Sequence, residues 1–492
     1  MLINLDFEKA FDSVDWDYMH KVLKAVGLGQ DICRWIEVFY KNIKSTVIVN
    51  GQTSSWFPIE RGCRQGDPVS PYIFVICAEI LSIMIKEEKS IEGIQIGGKE
   101  HKISQFADDT QLMNTGDKKS FEKSIEILDR FGKTSGLFLN KEKTQIIWLG
   151  KQKGSEIRYM EHLKMVWNPK QFKILGIWFT QDLTDMEKIN YEDKLIEVKA
   201  LFKIWLKRII TPLGRIAVLK SLILSKLTYL WLMLPNPPDI FVKKLQDLCY
   251  WFVWNKKQDR ISRKTVIKEI QDGGLNLPDI NALITALKLT WIKRLRHTTH
   301  IWRDMLVFSY PIIENIEKYS PNYLCNVTQD NSFWKHVFMS YKQFYYKVKP
   351  ENARELLAEP ILYNEHIKIG NKLIKKQNWN TKNVFTLSDF FKANGDSLSH
   401  AEFRTKYNIE IDFLSYGGCI LSIKGYIREQ EFEDEIKDNI KADFHTAIKK
   451  IYSVDKGSKT YYRIIVNDNW EPNCCAKWTE KLNTQINWTN CF

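Results

Sequence analysis

The stretch Phe106-Ala107-Asp108-Asp109 lies between two strand-like runs, residues 102–105 and 110–113, and predicts a tight β-hairpin whose turn carries adjacent carboxylates. Side chains alternate along a strand, so two neighbouring acids reach one site only beside such a turn. A third acid, Asp6, ends the apolar run of residues 2–5. Three acids on two paired strands suit a pair of magnesium ions and therefore nucleotidyl transfer. A solvated hairpin turn is the alternative for the Asp-Asp pair.

Two upstream stretches give these acids a context. They read Leu5-Asp6-Phe7-Glu8-Lys9-Ala10-Phe11-Asp12-Ser13-Val14 and Arg61-Gly62-Cys63-Arg64-Gln65-Gly66-Asp67-Pro68-Val69-Ser70-Pro71. Together with the hairpin turn, in this order, they resemble three palm motifs of the reverse transcriptases of LINE-type, non-LTR retrotransposons: D-x-x-K-A-F-D, R-Q-G-x-P-x-S-P and F-A-D-D. Residues 135–144 are similar to the family's next palm motif, and residues 173–177 to its primer-grip strand. The resemblance is faint beyond about residue 300.

The resemblance implies a metal site and its substrates. Asp6 and Asp108 would bind two Mg²⁺ ions, with Mn²⁺ as the alternative metal, and Asp109 would support them. The carbonyl oxygen of Phe7 is a further candidate ligand, because hard magnesium accepts backbone oxygen. One ion would lower the pKa of the primer 3′-hydroxyl, and the other would hold the triphosphate. The implied partners are an RNA template, a DNA primer and deoxynucleoside triphosphates.

The same resemblance places a nucleotide pocket beside the metals. The aromatic ring of Phe11 would block a ribose 2′-hydroxyl, although ordinary core packing is an equal alternative. Gly66 would let the backbone approach the nucleotide, with Gln65 hydrogen-bonding there; a helix-entry turn explains the same pair. Lys141 or Lys143 would reach a phosphate, unless these lysines are simply solvated.

Composition agrees with a large protein that binds a polyanion. At 492 residues the chain is long enough for roughly two to four domains, and its hydrophobic share of 44% supplies a large core. A formal charge of +13 favours a nucleic-acid partner. Without a run of about eighteen uncharged apolar residues or a secretory start, the sequence predicts no membrane span. Nine irregularly spaced cysteines predict reduced thiols in an intracellular protein of the nucleus and cytoplasm; Cys474, Cys475 and Cys491 lack a zinc-knuckle pattern.

Residues 1–182 alternate strand and helix patterns. They predict an α+β fold, a polymerase palm with an antiparallel sheet and helices. Residues 72–85 read as a buried helix, and residues 121–131 as a second helix that ends at Gly132. Asn50-Gly51 predicts a hairpin turn after a short strand. Helix capping explains three polar residues after the first motif acid better than catalysis does: Asp12, Ser13 and Asp15.

Residues 183–300 predict a helical, thumb-like domain. From Lys194 to Met233 there are eight basic residues and one acid, Glu197, so the local charge is +7. A thumb grips the backbone of the template–primer, and the candidate contacts are Lys199, Lys203, Lys207, Arg215 and Lys220. A solvated charged face is the alternative. Residues 301–492 read as a mixed, mainly helical region of unknown role.

Met1 precedes the first motif acid by five residues, whereas the resembling enzymes place their fingers before this point. The chain is therefore expected to be the C-terminal part of a longer protein, with one wall of the nucleotide pocket missing. Two functions stay open. One is an RNA-directed DNA polymerase that works by two-metal nucleotidyl transfer, which the intact acids favour. The other is a catalytically inactive retroelement relic that at most binds nucleic acid, which the missing fingers favour.

Overall fold

A computed structural model describes residues 1–181, 185–297, 300–375, 378–437, 445–453 and 457–466. The chain divides into two compact units, Met1–Met186 and Glu187 onward. The three domains predicted from the sequence, with boundaries after residues 182 and 300, stay a prediction.

The first unit mixes short strands with longer helices. Its strands are β1 (Leu2–Leu5), β2 (Lys44–Ser45), β3 (Ile48–Val49), β4 (Gln52–Thr53), β5 (Phe57–Pro58), β6 (Ile94–Ile96), β7 (Lys99–His101), β8 (Ile103–Phe106), β9 (Asp109–Met113), β10 (Gln145–Ile147), β11 (Val166–Trp167), β12 (Gln171–Ile174) and β13 (Ile177–Thr180). Its helices are α1 (Ala10–Ser13), α2 (Trp16–Ala25), α3 (Gln30–Phe39), α4 (Ser70–Glu87) and α5 (Lys118–Ser135). The predicted α+β class is confirmed.

The main sheet has the strand order β11-β10-β1-β9-β8, with β1 at its centre. Its first four strands in sequence pair antiparallel, as predicted, but β10 and β11 are parallel, which corrects the all-antiparallel sheet. A long connection separates β10 from β11, and parallel pairing requires such a crossover. The residues predicted as one primer-grip strand form the β12–β13 hairpin instead, which turns at Leu175 and Gly176 in the left-handed region.

Helix ends in this unit follow local capping signals. The carboxylates of Asp15 and Asp117 each accept a hydrogen bond from a backbone N–H in the first turn, at the starts of α2 and α5. α5 continues past Gly132 and ends at Gly136, whose φ of 81° suits a left-handed C-cap. α4 packs against α2, α5 and β8, so the core lies between these helices and the sheet.

The second unit is helical apart from one small hairpin, β14 (Lys368–Ile369) with β15 (Lys372–Leu373), in the ranges that the structure describes. Its helices are α6 (Met186–Leu206), α7 (Pro212–Val218), α8 (Ser225–Met233), α9 (Asp239–Val253), α10 (Arg263–Ile267), α11 (Ile280–His297), α12 (Ile301–Ser309), α13 (Pro321–Val327), α14 (Ser332–Lys347), α15 (Ala353–Leu357), α16 (Asn378–Thr381), α17 (His400–Tyr407), α18 (Phe413–Glu429), α19 (Thr446–Ser453) and α20 (Gly457–Val466). A π-helical turn, Leu219–Leu224, joins α7 to α8.

Two apolar cores of the second unit lie C-terminal to α10. One combines α11, α14, α19 and α20, and the other is built from residues 353–436. By length and composition, the continuous helical stretch Pro212–Met233 meets the criteria for a membrane span. It packs against α9 and α11 and buries Leu227, Leu230 and Trp231, and 39% of the stretch is buried. The three C-terminal cysteines of the sequence lie outside the described residues.

Candidate active site

Strand pairing brings the three predicted acids to one end of the main sheet. β1 and β9 pair antiparallel with Leu5 opposite Thr110, so Asp6 follows β1 at the point where Asp109 begins β9. Asp108 occupies the two-residue turn between β8 and β9. The predicted hairpin with its adjacent acids is therefore present, and β1 is its neighbouring strand.

The electrostatics of this end reflect crowded negative charge. Although Asp109 as a residue is exposed, desolvation of its carboxyl group raises its pKa, and the nearby charges of Asp108 and Asp6 raise it further. Carboxylate oxygens are the ligands that magnesium prefers. Across the described ranges, however, no group of three or more His, Cys, Asp or Glu side chains is arranged to hold a metal ion. Metal binding by these acids and by the Phe7 carbonyl stays a prediction.

The turn that carries Asp108 is conformationally strained. Ala107 has a φ of 52°, a left-handed conformation that costs a residue with a Cβ roughly 1–2 kcal/mol. Such strain persists where the surrounding structure imposes it, and it is common at functional sites. Here the paired strands on both sides hold the turn in place. An alanine, unlike a glycine, gives no sign of this conformation in the sequence.

A segment of the fourth motif supports Asp6 from its backbone. The Asn140 N–H donates to the Asp6 carbonyl at 2.7 Å, and the Asp6 N–H donates to Thr144 Oγ1 at 3.5 Å. Phe7 forms an isolated antiparallel bridge with Leu139 of this segment. The hydrogen bonds of the bridge involve the Asp6 carbonyl and the Glu8 N–H, so they do not use the Phe7 carbonyl oxygen. Sequence reasoning singled out only lysines in this motif. The missed signal was Asn140, a turn-forming residue directly after an apolar run.

The predicted nucleotide-pocket residues each have a definite local role. Phe11 is half-buried and stacks on Phe74, with ring centroids 4.2 Å apart. Gln65 is exposed, and its Nε2 donates to Asp12 Oδ1 at 3.1 Å. Gly66 has a φ of 88° and open space where a Cβ would stand, so its backbone conformation rather than a close contact favours glycine. Contact of these residues with a nucleotide stays a prediction.

The first two motifs pack directly on each other. The Cys63 N–H donates to the Phe11 carbonyl at 2.6 Å, and the Gly62 N–H donates to the Val14 carbonyl at 2.8 Å. A Cβ on Gly62 would lie 2.7 Å from the Asp12 carbonyl oxygen, so this approach excludes every other residue. The segment with Gln65 and Gly66 is thereby held beside the segment that follows Asp6.

The two lysines of the fourth motif differ in their surroundings. Lys141 is partly buried, and its Nζ lies 3.3 Å from Asp129 Oδ1, so it already has an acidic partner. Lys143 is exposed. A phosphate contact of Lys141 would have to compete with that ion pair, whereas Lys143 has no acidic partner among the residues that the structure describes.

The predicted basic surface of the second unit is only partly available. Three lysines at the end of α6 are exposed, and none has an acidic partner in the part of the chain that the structure describes: Lys199, Lys203 and Lys207. Lys194 and Lys226 instead hold Glu197 at 2.8 and 2.5 Å. Their hydrogen bonds lower the pKa of Glu197 to about 2. The lone acid of this segment is therefore neutralised by two of its eight cations.

Arg215 is a correction to the predicted contact set. Its side chain is buried, and its guanidinium donates to the carbonyls of Ile210 and Phe252 at 3.3 and 3.1 Å, so it closes the start of α7 onto α9. A buried arginine whose guanidinium already donates to backbone carbonyls is not available to bind a phosphate. Lys220 is exposed, but desolvation lowers the pKa of its ammonium group, and Glu269 is a charged neighbour.

The part of the chain that contains the site matches a known family model. Residues 1–179 match the family model described as reverse transcriptase (RNA-dependent DNA polymerase). Over 372 residues, 74% of this chain, the sequence is 23% identical to the "Transposon TX1 uncharacterized 149 kDa protein" of Xenopus laevis, 26% of which is covered. Over 336 residues, 63% of this chain, it is 24% identical to the "Retrovirus-related Pol polyprotein from type-1 retrotransposable element R2" of Popillia japonica, 52% of which is covered.

The relatives are non-LTR elements, which confirms the resemblance carried by the motifs. The chain spans between about a quarter and a half of the length of these curated relatives. Among solved structures, telomerase from Candida albicans in complex with a TWJ fragment of telomeric RNA is similar over 52% of this chain and 44% of its own, at 11% identity. Its TM-score of 0.22 is too low to support an argument about the fold.

Proposed function

We propose that this chain, in which residues 1–179 are a reverse transcriptase domain, is the polymerase part of a non-LTR retrotransposon protein. It would copy an RNA template into DNA from a DNA primer and deoxynucleoside triphosphates, inside the cell, in the nucleus and cytoplasm. The observation that carries the proposal is the pairing of β1 with β9, which sets Asp6 beside Asp109, with Asp108 on the adjoining turn.

The residues at the end of the sheet support this chemistry by position. Asp6, Asp108 and the Phe7 carbonyl would bind two Mg²⁺ or Mn²⁺ ions, and Asp109 would support them. Bound there, the metals supply activation of the primer hydroxyl and neutralisation of the triphosphate. The hydrogen bonds of the Asp6 backbone with the Asn140 N–H and the Thr144 hydroxyl hold Asp6 in line with β9.

The neighbouring residues would select and position the nucleotide. The stack on Phe74 fixes the ring of Phe11, so that it would stand against a ribose 2′-hydroxyl. Gln65, held by Asp12, and the left-handed Gly66 would border the base and sugar. Positioning accounts for much of phosphoryl-transfer catalysis, so fixed side chains matter more here than reactive ones.

A primer-extension assay tests the proposal. Residues 1–492, and in parallel the longest in-frame translation that contains them, are incubated with an RNA template, a DNA primer, deoxynucleoside triphosphates and Mg²⁺. Extension that stops on chelation and prefers deoxynucleotides over ribonucleotides is the expected result. Absence of extension from both proteins, with hybrid binding retained, would favour the inactive relic that only binds nucleic acid.

A further inference from the structure

A second basic surface follows α9. From Asn255 to Lys268 the chain has six basic residues and a single acid, Asp259. Residues 255–264, here called the α9–α10 loop, are exposed throughout. This loop belongs neither to the carboxylate site of the first unit nor to the lysines of α6. Its charge faces solvent in one short, continuous stretch.

Arg263 fixes the loop to α9. Its Nη1 lies 2.7 Å from Asp247 Oδ1 and its Nε lies 2.8 Å from Asp259 Oδ2, while the guanidinium carbon lies 4.3 Å from the ring centre of Tyr250. The Tyr250 hydroxyl donates to the Arg263 carbonyl at 3.3 Å. One arginine thus uses both aspartates and ties the end of the loop to the helix before it.

Four cations of the loop are left for a ligand: Lys256, Lys257, Arg260 and Lys264. None of them has an acidic partner among the residues that the structure describes. Asn255 and Lys256 are both left-handed, with φ of 52° and 66°, and turn the chain back directly after α9. This turn sets Lys256 Nζ 5.9 Å from the ring of Trp251, which is 39% exposed. Exposed cations next to an exposed aromatic ring are the usual elements of a nucleic-acid-binding surface.

We infer that the α9–α10 loop is a second nucleic-acid contact of this protein. Lys257, Arg260 and Lys264 bind the phosphodiester backbone, and the face of Trp251 is offered to a base. An ordinary solvated surface mixes both signs of charge, whereas here Asp247 and Asp259 are both paired with Arg263. Unpaired cations at fixed spacing release counterions when they meet phosphates, and this release drives binding. The inference rests on the proposed function for its ligand, the template–primer, but it does not depend on catalysis.

A salt series of hybrid binding tests the inference. Binding of a fluorescent RNA–DNA hybrid with a single-stranded RNA overhang is measured by anisotropy for the wild type and for the triple variant Lys257→Glu, Arg260→Glu, Lys264→Glu. The matched control carries the same charge change at exposed lysines elsewhere in the second unit: Lys372→Glu, Lys382→Glu, Lys424→Glu. The log–log salt slope should fall by about 2 to 3 in the loop variant, since each lost phosphate contact removes about 0.7–0.9. Equal slopes in loop variant and control would overturn the inference.

A single substitution separates the effect of the Arg263 ion pairs on binding from the effect of net charge. Asp247→Ala removes a negative charge, so net charge alone predicts tighter hybrid binding. Loss of the Arg263–Asp247 ion pair, which fixes the loop to α9, predicts weaker binding at unchanged thermal stability. Tighter binding would overturn the proposed arrangement. Failure of the polymerase proposal is recognised separately, as absence of primer extension alongside loop-dependent binding. A wild type that does not bind the hybrid at any salt concentration would overturn both this contact and the α6 contact.

Discussion

The two units each contain a carboxylate centre, and the two centres are built in opposite ways. In the first unit, Asp108 and Asp109 are exposed at the end of a sheet, with Asp6 beside them. In the second unit, Glu359 is fully buried where the two apolar cores meet. The first centre gathers negative charges without a compensating cation in the described structure, whereas both carboxylate oxygens of Glu359 have hydrogen-bond donors.

Glu359 is satisfied on both oxygens. Tyr426 Oη and Asn364 Nδ2 donate to it at 2.7 and 2.9 Å, and His366 and His445 each place a ring nitrogen 3.4 Å away. Desolvation by itself raises the pKa of Glu359, but the hydrogen bonds and charges of the two imidazoles outweigh it and bring the pKa to about 2. The ionised carboxylate is thus part of what holds the two cores together.

The two centres differ in the effect of ionisation on the fold. Hydrogen-bonded partners outweigh burial and lower the pKa of Glu359, whereas desolvation, with the charges of Asp108 and Asp6, raises the pKa of Asp109. A group that costs the fold stability persists where a ligand is to relieve it, and perturbed acids of this kind concentrate at functional sites. Substitution should therefore damage stability at one centre and activity at the other.

The largest expected effect is on catalysis at Asp108. Asp108→Asn should reduce primer extension by at least about a thousandfold, because a lost metal ligand removes several kcal/mol of transition-state stabilisation. The thermal midpoint and hybrid affinity should stay at the wild-type values, since the side chain is exposed. Extension rates and anisotropy are measured on the same preparation of the extending protein. A parallel loss of binding or stability would make Asp108 a structural residue.

The next largest effect is on stability at Glu359. Glu359→Gln should lower the free energy of unfolding by about 3–5 kcal/mol, because it removes one charged partner from a buried cluster and leaves the other partners uncompensated. Urea unfolding measures the change. Glu402→Gln is the control, since that carboxylate also accepts hydrogen bonds but lies exposed at the start of α17. Equal losses in the two variants would contradict the comparison.

The same residue predicts a pH dependence. A carboxyl group whose pKa is lowered from 4.5 to about 2 stabilises the fold fully above pH 4.5 and loses this contribution as the pH falls towards 2. The wild type should therefore lose stability over this range, and Glu359→Gln should lose less. Identical acid profiles for the two proteins would show that Glu359 is not the group responsible.

Exposed, unpaired charge on α6 should act on binding alone. The variant Lys199→Glu, Lys203→Glu, Lys207→Glu should reduce the log–log salt slope of hybrid binding by about 2 or more and leave unfolding unchanged. Arg215→Gln should instead lower the free energy of unfolding and leave the salt slope unchanged, because the buried guanidinium donates to backbone carbonyls. An unchanged slope in the triple variant would mean that these lysines merely solvate their helix.

The smallest expected effect is a gain in stability at Asp109. Its raised pKa means that the folded state binds the proton more tightly than the unfolded state, so the ionised form costs stability at neutral pH. Asp109→Asn should raise the thermal midpoint slightly at pH 7, while extension falls. Near pH 3 the two proteins should melt alike, because the wild-type carboxyl group is then largely protonated. A lower midpoint at pH 7 would argue against repulsion at this site.

The sequence alone determined the features that depend on neighbouring residues. The hairpin with Asp108 at its turn and the cap at Asp15 are both present, because turn and capping preferences act over three or four residues. The α+β class followed from alternating strand and helix patterns, and the structure confirms it. The resemblance to non-LTR reverse transcriptases followed from motif order, and the comparisons confirm it. The roles of the site residues in catalysis are still predictions from that resemblance.

Only the tertiary structure decided which distant groups meet. The parallel β10–β11 pair, the burial of Arg215 and the meeting of Glu359 with His445 depend on partners far apart in the chain. Residue type says that Arg215 and Glu359 carry charge, but packing decides whether that charge faces water or a buried partner. Desolvation and pairing then move a pKa in opposite directions, so the carboxyl group of Asp109 ionises less readily than usual and that of Glu359 more readily.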